Sequence, residues 1–118
     1  KFDLVDSIKK KTDILKAISF ELELNNTSVI NSRAEDLNRS YDFIVTRAVA
    51  KLDKLNKWTL NKISHVHEHK FRNGLICLKG GNLEDELKFF KNRTNVFLIN
   101  KNFDEPFFQE KKIIHLYN

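Results

Sequence analysis

The stretch Tyr41-Asp42-Phe43-Ile44-Val45-Thr46-Arg47-Ala48 sets the fold class of this 118-residue chain. Residues 42–45 form a short run of aromatic and β-branched character with almost no polarity. Such a run reads as a strand buried on both faces, the kind found in the middle of a parallel sheet. Polarity returns at once with Thr46 and Arg47. In open α/β sheets, ligands bind just beyond the carboxyl ends of the strands. A cation there, followed by small Ala48 and Ala50 that allow close approach, stands in a functional position. An arginine that merely caps a strand against solvent has the same signature at this level.

Upstream of that strand, residues 2–5 form a short apolar run ending in Asp6-Ser7. Ile8, Thr12, Leu15, Ile18 and Leu22 then recur at intervals of three and four, which predicts an amphipathic helix over 8–22. Ser7 is its expected N-cap, although Lys9, Lys10 and Lys11 oppose the helix dipole. A second strand is expected over 28–31, followed by a polar turn through 32–40. Downstream, Leu52, Leu55, Thr59 and Ile63 mark a helix over 51–63, and 64–73 reads as a polar connection. Leu75-Ile76-Cys77-Leu78 is a further apolar strand ended by Lys79-Gly80-Gly81, and Asn82 can cap a helix carrying Leu83, Leu87 and Phe90. The last strands are expected over 96–99 and 112–116. Their connection, with Pro106 inside it, is too short for a helical crossover, so they pair as an antiparallel hairpin. The order β-α-β-β-α-β-α-β-β predicts an α/β fold: a parallel sheet with helices on its faces and an antiparallel ending.

Hydrophobic content of 41% and charged content of 31% place the chain among globular domains and exclude a disordered tail. Its length suffices for a single domain with its own core. No apolar run is long enough to span a bilayer and no secretory signal pattern is present. Cys77, the one cysteine, reads as a small buried hydrophobe and suits a reducing cytoplasm. A net charge of +5 suits a polyanionic partner such as RNA. The chain contains no methionine and opens on Lys1 at the edge of a strand, which reads as a piece of a longer product.

Four positions carry candidate chemistry. Asp6 ends its strand where doubly wound folds place a carboxylate on a ribose diol, and it suits a helix N-terminus equally well. Ala34 and Glu35 follow the second strand, where a small residue and a carboxylate can face an adenine or simply open a helical turn. Arg47 stands at the carboxyl end of the central strand. Lys79, before two glycines, can meet phosphate or substrate, or belong to a strand-to-helix turn. His65-Val66-His67-Glu68-His69 has the spacing of neither a zinc finger nor a helical ligand pair, so no metal is expected. Phe107-Phe108 can stack on a base or pack beneath its loop. No serine nucleophile elbow, phosphate-cradling lysine loop or dinucleotide glycine motif is present.

Taken in order, Leu4-Val5-Asp6-Ser7-Ile8-Lys9-Lys10, Arg33-Ala34-Glu35, Tyr41 to Val49 and Leu78-Lys79-Gly80-Gly81 resemble the ribosomal RNA small subunit methyltransferase G family, also called glucose-inhibited division protein B. The closing Phe107-Phe108-Gln109-Glu110-Lys111-Lys112 and Ile113-Ile114-His115-Leu116 resemble its Bacteroidetes branch. The resemblance implies a Rossmann-like class I methyltransferase fold. It also implies S-adenosyl-L-methionine as cofactor, and methylation of a guanosine N7 in the 530-loop of 16S rRNA by a cytoplasmic enzyme. On that basis Asp6 lies near the ribose, Ala34 and Glu35 line the adenosine side, Arg47 contacts the cofactor and Lys79 lies near substrate. The family's first strand and its glycine-rich loop are absent here, as is its N-terminal helical region. In the family's fold the first strand lies between the second and the fourth, so the expected domain, residues 1–118, is partial and by itself inactive. The alternative is a non-catalytic basic RNA-binding or interaction module.

Overall fold

The computed structural model describes residues 1–47 and 49–118; Ala48, expected to admit a ligand beside Arg47, lies outside the described residues. The chain divides into two compact units, Lys1–Asn38 and Arg39–Asn118.

In the first unit β1 (Phe2–Asp6) and β2 (Thr27–Asn31) pair in parallel, with Asp6 opposite Asn31 at the carboxyl end. The crossover between them is α1 (Lys9–Glu21). Parallel strands cannot be joined by a tight turn, so the helical crossover follows from the pairing. α1 seats Thr12 fully buried, while Ile14, Ile18 and Phe20 remain exposed. The expected apolar stripe is thus only half used, because two strands offer little surface for one helix to cover. The expectation that Ser7 caps α1 is corrected. The residue before the helix is Ile8, whose N–H donates to Asp6 Oδ1 at 2.8 Å. A carboxylate two residues back reaches that N–H and complements the helix dipole as well, which a serine hydroxyl cannot do. The lysines at the helix start find carboxylates: Lys9 Nζ stands 2.6 Å from Asp13 Oδ1 and Lys11 Nζ 3.6 Å from Asp6 Oδ2. After β2 a 3₁₀ turn spans Ala34–Asp36.

The second unit is a four-stranded sheet in the order β3-β4-β6-β5, formed by β3 (Phe43–Arg47), β4 (Gly74–Gly80), β5 (Thr94–Leu98) and β6 (Lys111–Tyr117). β3 and β4 are parallel; β6 runs antiparallel to both β4 and β5, which confirms the closing hairpin. The expectation that β3 lies buried at a sheet centre is corrected: β3 is the end strand of its sheet, and Val45 is 66% exposed. An apolar run encodes that its faces suit burial, but not which strand or helix supplies the cover.

Helix α2 (Leu52–Thr59) supplies the main core with β4, β6 and Leu83, the residue just before α3 (Glu84–Leu87), whose Leu87 packs against it. Leu52, Leu55, Leu75, Cys77, Leu83, Ile114 and Leu116 form one buried cluster. α2 is shorter than its apolar spacing suggests and tightens into a 3₁₀ turn over Leu60–Lys62. α3 begins at Glu84, whose N–H donates to Asn82 Oδ1 at 2.9 Å.

At the amino ends of β3 and β4 the expected polar connection 64–73 is organised by Asn73, which is fully buried. Its Nδ2 donates to Ser64 O at 3.1 Å, Val66 O at 2.7 Å and Asp42 Oδ1 at 3.2 Å. Its backbone N–H donates to His67 Nδ1 at 3.0 Å. These bonds replace those the Nδ2 group loses to water, while Oδ1 is buried with no hydrogen-bond partner among the described residues.

Candidate functional site

The candidate residues stand at carboxyl ends of strands, and the first unit holds Asp6, Ala34 and Glu35. Asp6 closes β1, and Asn31 Nδ2 donates to its carbonyl at 3.0 Å. One carboxylate oxygen is tied to the N–H of Ile8, and the other faces Lys11 Nζ at the loose distance of 3.6 Å. The first bond orients the group, and the second oxygen keeps acceptor capacity for a hydroxyl. Both alternatives left open for Asp6 are therefore compatible: one oxygen serves the helix start while the other, loosely facing Lys11, retains lone pairs. Ala34 and Glu35 open the 3₁₀ turn on the same rim as Asp6 and are exposed. Glu35 Oε1 lies 3.9 Å from Arg33 Nη1.

In the second unit Arg47 ends β3, in register with Leu78 of β4. Arg47 is exposed, and among the described residues its guanidinium has no hydrogen-bond or ion-pair partner. A charge held at a strand end with no such partner among the described residues suits an incoming polar ligand.

Lys79 behaves differently. Its side chain is 13% exposed and turned towards the core face, where Nζ donates to Glu86 Oε2 at 2.7 Å and to Ala50 O at 3.0 Å. Glu86 Oε2 also accepts the N–H of Leu52 at 2.7 Å. The pair brackets the loop that follows Arg47, from Ala50 to the first turn of α2. Burial pushes the Glu86 carboxyl upward. The hydrogen bonds from Lys79 and from the Leu52 N–H, with the charges of Lys79 and Lys51, outweigh that and hold it below the ordinary carboxylate range. Sequence reasoning missed Glu86. The available signal was an acidic first turn of α3, seven residues beyond Lys79, but the acidic residues 84–86 are indistinguishable without the fold.

Beneath the bracket lies Cys77, whose thiol burial pushes up to about 11. Proton loss there is suppressed, so Cys77 is a packing residue and not a nucleophile. Near pH 8, a disulfide reagent such as dithionitrobenzoate is expected to label it at least about a hundredfold more slowly in the native chain than in urea. Equal rates would show an exposed, reactive thiol. Among the described residues, no group of three or more His, Cys, Asp or Glu side chains could hold a metal ion. Likewise no helix among them is long and apolar enough to cross a membrane.

The family model for rRNA small subunit methyltransferase G (GidB) matches residues 1–114. The chain belongs to the rRNA small subunit methyltransferase G family. Among curated members, the Christiangramia forsetii protein is 44% identical over 115 residues, which cover 98% of this chain and 54% of the relative. The Bacteroides fragilis protein is 42% identical over 116 residues, covering 98% and 56%. The Flavobacterium johnsoniae protein is 39% identical, covering 98% and 55%. The chain thus spans about half the length of the methyltransferase G proteins it matches. Among solved structures, an rRNA methylase from Streptococcus thermophilus superposes with a TM-score of 0.61 at 8% identity, covering 98% of this chain and 72% of that one. At that identity the likeness speaks to the fold alone, and it agrees with the methyltransferase architecture implied by the methyltransferase G resemblance.

Proposed function

We propose that this chain is the cofactor-holding part of an S-adenosylmethionine-dependent methyltransferase domain acting on a guanosine N7 of small-subunit rRNA in the cytoplasm. The observation that carries this is the coincidence of family membership over residues 1–114 with Asp6 and Arg47 each at the carboxyl end of a parallel strand. Residues 1–118 then belong to one domain. β1 and β3 each end the strand order of their own sheet.

The residues present fit the nucleoside end of the cofactor. In the first unit Asp6 offers an oriented carboxylate whose second oxygen can still accept from a ribose hydroxyl, Ala34 leaves room for a flat base and Glu35 supplies an acceptor; in the second unit Arg47 supplies a cation. When bound, S-adenosylmethionine supplies the electrophilic methyl group. The chain's own contribution is binding and orientation. Guanine N7 carries a free lone pair, so none of its side chains has to remove a proton, and alignment accounts for most of what the protein must do. Lys79 acts from beneath, holding Ala50 directly and Leu52 through Glu86.

Isothermal titration with S-adenosylmethionine tests the assignment. Asp6→Asn retains an oxygen for the Ile8 N–H but removes the charge that strengthens hydroxyl bonds. It is expected to weaken binding by about tenfold to a hundredfold with helicity unchanged. An unchanged affinity in both Asp6→Asn and Arg47→Ala would remove the cofactor assignment. The net charge of +5 favours a second reading, a non-catalytic RNA-binding module; it requires salt-sensitive RNA affinity without any measurable cofactor binding.

A further inference from the structure

The connection between β5 and β6 divides its aromatic residues into one that packs and two that do not. Phe108 is half-buried and anchors the other two, with ring centroids 5.2 Å from Phe103 at a tilt of 43° and 5.2 Å from Phe107, edge to face at 82°. Phe107 is 69% exposed and Phe103 51%. Leaving such area in water is unfavourable by the same effect that builds the core, so an exposed, propped pair invites a partner.

The location narrows the partner. β6 starts at Lys111, opposite Gly80 at the carboxyl end of β4, so the aromatic turn sits on the same rim of its sheet as Arg47 and Lys79. Lys111 Nζ lies 4.9 Å from the Phe107 ring centroid. The Lys111 stem runs across Gly80, where an added Cβ would come within 3.0 Å of Nζ. Lys112 Nζ donates to Gly81 O at 3.3 Å. The connection itself sets Lys101 against Asp104, Glu105 and Glu110, and Lys111 and Lys112 at the start of β6 offset that excess of carboxylates. Phosphate attraction therefore comes from the whole chain's +5 charge, and the turn has stacking surface to offer.

We infer that Phe107, propped by Phe108 and flanked by Lys111, is a stacking platform for an unpaired base of the RNA substrate. This rests on the RNA-directed function proposed above and adds where the strand is held. A splayed base fits because every base has a face that an aromatic ring can cover, and only single-stranded segments expose one. The platform is not a catalytic element; it positions RNA beside the rim where transfer takes place.

The test uses the full chain and a short single-stranded RNA with one 2-aminopurine, whose fluorescence falls on stacking. Phe107→Ala is expected to weaken binding about tenfold and abolish the quenching, while Phe107→Trp retains both. Lys111→Gln is expected to lower the salt slope by about 0.7 and leave the quenching intact. Titration with S-adenosylmethionine alongside should be the same in all variants. Wild-type RNA binding that Phe107→Ala leaves unchanged overturns the platform alone. Failure of the wild-type chain to bind RNA overturns the platform and the RNA-directed function together, whatever the cofactor titration shows. Binding of duplex RNA as tight as single-stranded, without quenching, assigns the contact to phosphates and overturns the platform. Sedimentation showing a dimer that Phe107→Ala dissolves, with RNA binding unaffected, gives the surface to a second copy of this chain and likewise overturns it.

Discussion

Lys79→Met is expected to destabilise the second unit by about 2 kcal/mol, keeping an apolar stem of similar length and removing the ammonium charge with its N–H donors. The reason lies in what stays behind. Glu86, with a side chain 24% exposed, keeps its bond to the Leu52 N–H but loses the cation that offsets its burial, and Ala50 O loses a donor. Breaking such a pair from one side costs more than removing both charges, so Lys79→Met with Glu86→Gln should recover part of the loss. Hydrogen exchange at the Leu52 amide should accelerate in the single variant, because that N–H is bonded to the freed carboxylate. The pH dependence follows from the depressed Glu86 carboxyl. Its contribution is fully present above the ordinary value of 4.5 and is lost as pH falls through the lower folded-state value. Glu86→Gln should flatten that acid limb of the stability profile. Urea midpoints measured between neutral and acid pH decide the matter; a Lys79→Met midpoint equal to wild type at neutral pH would show that the bracket holds nothing.

A larger loss is expected from Gly74→Val. A Cβ at Gly74 would lie 2.3 Å from Leu116 O, 2.9 Å from Tyr117 Cα and 3.0 Å from Leu116 C. All three are backbone atoms of β6, which is paired on both sides, with β4 and with β5, so they cannot swing away as a side-chain end can. Accommodating the new carbon means displacing a strand whose residues Ile114 and Leu116 lie in the core. The expected cost is about 3 kcal/mol or more, or a drop in melting temperature of about 10 °C or more. Gly80→Ala is the internal control. There the nearest atoms are Nζ and Cδ of Lys111, a flexible side chain, and the cost should stay below about 1 kcal/mol. Thermal unfolding followed by circular dichroism compares the two. Equal losses would mean that the close approach at Gly74 is not what constrains β6.

Much of the candidate site was legible because it depends on local chemistry. Asp6 and Arg47 each follow an apolar run directly, and polarity returning at a strand's end marks the rim where ligands bind in this class of fold. Lys79 was found by the same rule, but its direction was not. Alternation places it on the face of Leu75 and Cys77, and only the fold brings Glu86 and Ala50 to that face. Phe107 and Phe108 are adjacent and chemically identical, so sequence could not separate the packed ring from the exposed one. Asn73 looked like one more polar loop residue until the backbone closed around its amide.

The amino-acid sequence by itself determined the succession of strands and helices, the parallel pairings that need helical crossovers, the antiparallel close, and the residues at the strand ends. These follow from periodicity, turn chemistry and connection length, all properties of neighbours along the chain. Tertiary structure alone decided that the Lys79 ammonium points inward and that Asn73 is a buried hinge-pin of its loop. Each of these depends on groups far apart in sequence, and no local pattern records which distant donor will meet which acceptor.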